Sequence, residues 1–103
     1  MQILEVRDIG DALAASIDRG GLILDEKQLA PAFFDLRSGL AGEVLQKFTN
    51  YRARLAILVA DPEAYGGRFS ELIHEHRTHR LVRFFASEQL ARQWLDYNPI
   101  VKC

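Results

Sequence analysis

The stretch FFDLRSGLAGEVLQKFTNYRARLAILVA (Phe33–Ala60) decides the fold, because its hydrophobic period changes partway along. Up to Tyr51 the apolar residues recur at helical spacing. Leu40, Val44, Phe48 and Tyr51 fall on one side, with Ala41 and Leu45 beside them. From Arg54 onward the run RLAILVA (Arg54–Ala60) is almost unbroken in its apolar character and is the strongest strand candidate in the chain. A helix over Gly39 to Tyr51 feeding directly into a buried strand is one unit of an α/β alternation.

Working outward, the same alternation repeats. Upstream, LILD (Leu22–Asp25) is a short apolar run between glycines and charges and reads as a buried strand. Pro31 is placed to open a helical turn. Before it, QILEV (Gln2–Val6) alternates like a strand. Asp8 or Asp11 is then expected to cap a helix with Ile9, Leu13 and Ile17 on one face, ended by Gly20 and Gly21. Downstream, Asp61-Pro62 stops the central strand, and Phe69, Leu72 and Ile73 mark a helix running to about Thr78. LVRFF (Leu81–Phe85) reads as a fourth strand. Ser87 caps a last helix whose Leu90, Ala91, Trp94 and Leu95 are expected to face inward. No hairpin signal separates the strands. The expectation is a single α/β domain over residues 1–103, a largely parallel or mixed four-stranded sheet with helices packed on it.

Composition narrows the functional classes. The 103 residues have room for one core, and 49% hydrophobic with 26% charged residues is the balance of a folded soluble domain. A net charge of −1 gives no electrostatic case for nucleic acid or an anionic membrane surface. No apolar run reaches the length of a membrane span, and the first ten residues lack the pattern of a secretory signal. The single cysteine, Cys103, cannot form a disulfide within the chain, so a cytoplasmic setting is expected.

Among polar residues, Glu43, Gln46, Lys47 and Asn50 stand three, four or seven apart and share a face of the central helix. They read either as a solvated face opposite the buried stripe or as a face that grips a polar partner, with Glu43 and Lys47 spaced for an i,i+4 ion pair. No nucleophile on that face pairs with a general base, which points away from catalysis. Asp35, Arg37 and Ser38 surround the helix start, where exposed N–H groups favour an anion and where Ser38 is equally suited to capping. Gly39 and Gly42 fit neither common phosphate-loop spacing. Gly42, in a helix interior, suggests that something packs closely there. His74, His76 and His79 lack metal-ligand spacing and alternate with Arg77 and Arg80, so no metal and no cofactor are expected.

The segment Phe33–Val59 resembles the signature of a bacterial family known as domain of unknown function 4180. The pattern runs Phe-Phe-Asp-Leu, then Gly-Leu-Ala-Gly-Glu, then Leu-Gln-Lys-Phe and Asn-Tyr-Arg, followed by an apolar strand. Weaker similarity covers DALAASID and FFASEQLARQWL. The chain departs from the family pattern at Gly66, Gly67 and Arg68. Membership implies no known activity. The order of elements also resembles STAS domains, the anti-sigma-factor antagonists, in which a serine at a helix start is phosphorylated. Ser38 and Gly39 match that position, whereas Asp35 lies one residue too far upstream.

Two functions follow as expectations. One is a small non-enzymatic, STAS-like interaction or regulatory module with its partner surface on Asp35–Asn50, engaging a protein partner or a second copy as a homodimer. The other is a small-ligand or phosphate-binding protein, conceivably an enzyme, with a pocket near Ser38 and Asp61 at the carboxyl end of the central strand.

Overall fold

Leu24, Ile57 and Phe84 lie in one row across a parallel sheet. The computed structural model describes residues 6–29 and 31–96. Its three strands are β1 (Leu22–Asp25), β2 (Leu55–Leu58) and β3 (Val82–Phe85), hydrogen-bonded in the order β1-β2-β3. The helices are α1 (Val6–Arg19), α2 (Leu40–Asn50), α3 (Gly67–Glu75) and α4 (Glu88–Asp96). Short 3-10 turns follow the carboxyl ends of β1 and β2. Because both strand pairs are parallel, α2 and α3 are the crossovers that return the chain to the amino end of the sheet.

The strand period of two divides the sheet into faces. Leu22, Leu24, Leu55, Ile57, Val82 and Phe84 point into the main core, where they meet Ile9 and Leu13 of α1 and Val44 and Phe48 of α2. Phe69 of α3 reaches Phe84 at 5.9 Å between ring centroids. The opposite face carries Ala56, Arg83 and Phe85 and is covered by α4, whose Trp94 lies 5.5 Å from Phe85. Burial on both faces explains why β2 reads as a continuous apolar run: Leu55, Ala56 and Ile57 are all fully buried.

Several sequence expectations need correction. The described residues hold three strands, not four. Of the expected strand at Gln2–Val6, residues 2–5 lie outside the described residues and Val6 already belongs to α1. Asp8 and Asp11 therefore fall within the helix rather than before its first residue. The start of α3 is earlier and its end sooner than expected, at Glu75 rather than Thr78. Ile17, Tyr51 and Leu90 are exposed although their spacing matches the buried stripes. Ile17 lies in the last turn of α1, Leu90 in the first turn of α4, and Tyr51 just past the end of α2.

One side chain locks the layers together. Arg54 is buried just before β2 and points to the α4 face. It donates to the carbonyls of Trp94 at 2.5 Å and Leu95 at 2.9 Å, with its guanidinium 4.6 Å from the Trp94 ring centre. Its own carbonyl accepts from the buried Ser16 hydroxyl of α1 at 2.7 Å. Helices on both sides of the sheet are thus tied to one residue.

Candidate functional site

The expected partner segment is built in two parts. Asp35 caps the 3-10 turn Leu36–Ser38, its carboxylate accepting from the Arg37 amide at 3.1 Å and meeting Arg37 Nε at 3.5 Å. The Ser38 hydroxyl donates to the Ala32 carbonyl at 2.6 Å and accepts from the Leu40 amide at 3.2 Å. Ser38 is therefore occupied in joining the turn to the start of α2. The residue at the helix boundary is Gly39, at φ 79°, a left-handed conformation that glycine adopts without steric cost.

Along α2 the buried stripe is Ala41, Val44, Leu45 and Phe48. Opposite it Gly42, Gln46, Thr49 and Asn50 are exposed, at i, i+4, i+7 and i+8, with Glu43 and Lys47 half-buried beside them. Gln46 and Asn50 thus share an outward face, as their spacing requires. Glu43 and Lys47 are not joined in an ion pair. Gly42 differs from expectation: a Cβ built there would meet nothing within 4 Å. Among the described residues the glycine makes no room for another part of the chain, and it leaves an open patch at the amino-terminal end of the stripe.

A cleft of about 560 Å³ opens beside the first part of the segment. Phe34 and Tyr65 form its wall, stacked at 3.9 Å and 13° between planes, and Phe69 packs against both. The Tyr65 hydroxyl donates to one oxygen of Glu26, and the other oxygen accepts from the Ala60 amide at 2.9 Å. The hydrogen bond to the Glu26 carboxylate, with some burial, pushes the Tyr65 pKa up to about 12, so the phenol stays protonated. Arg37 and Arg68 are exposed at the rim, and none of the described residues lining the cleft is a serine, threonine, cysteine or histidine. Such a site can hold an anionic or flat group but carries no nucleophile–base pair.

Asp61 is elsewhere. It accepts from the Glu63 amide at 3.1 Å and borders a separate cavity of about 310 Å³ with Ser70, His74 and Arg77. The structure thus brings Asp35 and Arg37 together at one cleft but does not bring Ser38 and Asp61 to a common pocket.

At the amino end of the sheet, a groove of about 420 Å³ is lined by Thr49, Arg52, Arg80 and Leu81. The loop behind it is fixed by His79, whose Nδ1 accepts from the Leu81 and Val82 amides at 3.1 Å each. Burial, then the neighbouring His76 and Arg83, lowers the His79 pKa, which keeps that nitrogen available as an acceptor. Among the described residues no cluster of three or more histidine, cysteine or acidic side chains is arranged to hold a metal. No helix among them is long and apolar enough to cross a membrane.

Sequence reasoning missed Tyr65, Glu26, Arg68 and the pair Arg52 and Arg80. The signal for Arg52 was present: α2 ends at Asn50-Tyr51-Arg52 with no glycine where a helix of this kind usually carries one. Nothing in the local pattern pairs Glu26 with Tyr65, because that contact spans 39 residues.

Compared with known proteins, residues 1–95 match a family model described as a domain of unknown function, DUF4180. No curated protein and no solved structure matches the chain. The likeness to STAS domains is an expectation from the order of elements in the sequence alone.

Proposed function

We propose that this chain, which belongs to the DUF4180 family of domains of unknown function, is a non-catalytic interaction module that receives a protein partner along the exposed stripe of α2. The observation that carries the reading is Gly42. A glycine inside a helix costs about 1 kcal/mol relative to alanine. Nothing within 4 Å among the described residues requires that residue to be small. An open patch one turn before Gln46 allows another backbone to approach closely, and Gln46 and Asn50 supply donors and acceptors to hold it. The expected resemblance of the element order to STAS-like regulators favours a regulatory use of that face, by analogy of fold only.

Capture from a bacterial lysate tests the reading. The wild-type chain is expected to retain a partner that the Gln46→Ala/Asn50→Ala double variant loses, with stability unchanged within about 0.5 kcal/mol for these exposed positions. Equal partner sets for both forms would remove α2 from consideration. The runner-up is a small anion held between Arg37 and Arg68 at the cleft. A rise in melting temperature with inorganic phosphate, lost in Arg68→Gln, together with unchanged capture by the double variant, would transfer the function to that cleft.

A further inference from the structure

The chain closes two helices with the same long-range hydrogen bond, and the two closures differ in the residue at the left-handed position. At the end of α1 the Gly21 amide donates to the Ser16 carbonyl at 2.9 Å, and the left-handed position between them and the helix is Gly20, at φ 79°. At the end of α2 the Ala53 amide donates to the Phe48 carbonyl at 2.9 Å and the Arg52 amide to Thr49 at 3.1 Å. There the left-handed position is Arg52, at φ 56°, the one non-glycine residue with positive φ among those described. Glycine would make this closure without the clash between Cβ and backbone.

The Arg52 side chain does not compensate inside the molecule. Neither it nor Arg80 has a hydrogen-bond or ion-pair partner among the described residues. Both line the groove at the amino end of the sheet, with Thr49 and the apolar Leu81, and none of its described lining residues is acidic. A cation near a helix C-terminus is favourable in any rotamer and position of the last turn, so the dipole does not explain the choice of the strained residue. Thr49 also belongs to the exposed stripe of α2, so the groove continues the face described above.

We infer that the groove between Arg52 and Arg80 takes a carboxylate side chain of an acidic peptide segment, and that the protein partner of α2 presents that segment. The inference rests on the α2 reading for its location and on charge complementarity for its chemistry. Two guanidinium groups flanking a cavity suit a carboxylate, with Thr49 as a further donor and Leu81 against the carboxylate's methylene stem.

The test is a titration of the full chain with hexaglutamate peptide, followed by amide chemical shifts. Shifts are expected at Thr49, Arg52, Arg80 and Leu81. Arg52→Gly and Arg80→Gln should each weaken binding roughly threefold and together about tenfold, as for solvent-exposed ion pairs. Arg52→Gly should meanwhile melt at a higher temperature, which separates lost binding from lost folding. Unchanged affinity in the double variant would overturn the inference. So would shifts centred on Arg37 and Arg68, or equal shifts with inorganic phosphate or anionic lipid vesicles. The Gln46→Ala/Asn50→Ala capture experiment stands apart from this titration, so an acidic partner can fail while the α2 face survives.

Discussion

Phe69→Ala is expected to lower the unfolding free energy by about 3–5 kcal/mol in urea denaturation, most of what a domain of this size possesses. Phe69 is 1% exposed and its ring lies 5.8 Å from Phe33, 5.1 Å from Phe34, 5.9 Å from Tyr65 and 5.9 Å from Phe84. Truncation removes a large apolar surface and leaves a cavity that four rings on three different elements cannot close together. Rigid aromatic neighbours collapse poorly, which places the cost toward the upper part of the range. The cleft wall formed by Phe34 and Tyr65 loses its backing in the same step. A loss below about 1.5 kcal/mol would mean that this cluster is not the centre of the core.

Arg54→Met is expected to cost about 2–4 kcal/mol and to act first on α4. Methionine keeps much of the packing volume but withdraws both donors from the Trp94 and Leu95 carbonyls, and a carbonyl left without a partner in a poorly hydrated site is destabilising. The stacking of the guanidinium on Trp94, 4.6 Å from the ring centre, is lost as well. Replacement of a buried charge by an apolar side chain can be neutral when the whole polar set is removed. Here the carbonyls of α4 remain, so neutrality is not expected. Trp94 belongs to the affected helix and is the single tryptophan of the chain, so its fluorescence reports the detachment directly. In the variant the fluorescence transition should precede the loss of far-ultraviolet circular dichroism. Coincident transitions with a loss under 1 kcal/mol, roughly the scale of one ordinary hydrogen bond, would show that Arg54 does not hold α4 to the sheet.

Much of this architecture is legible from the residue pattern. LILD occupies β1 residue for residue, and RLAILVA and LVRFF contain β2 and β3, because continuous apolar runs between turn residues leave a strand little alternative. Helix boundaries were less readable. The spacing of Ile9, Leu13 and Ile17 identifies α1, but exposure of Ile17 depends on tertiary packing, which no local pattern records. The outward face of Gln46 and Asn50 follows from helical periodicity alone. The role of Gly42 did not: a helical glycine signals closeness or emptiness equally, and only the surrounding atoms distinguish them. The split between Ser38 and Asp61 was hidden for a related reason. Both lie at loops leaving the sheet, but their polar atoms are consumed by capping bonds two to six residues away. Glu26 and Tyr65 meet across 39 residues, beyond the reach of any motif.

Gly42→Ala tests the central claim most directly, because the fold and the proposed function make opposite demands on that residue. With nothing within 4 Å of the added methyl group, the isolated chain should gain up to about 1 kcal/mol in stability. Measured on the same preparation, capture of the partner retained by the wild-type chain should fall sharply, since the methyl group stands where the partner's backbone approaches. A variant that is more stable and captures the same partner as strongly as the wild type would contradict the docking role of α2.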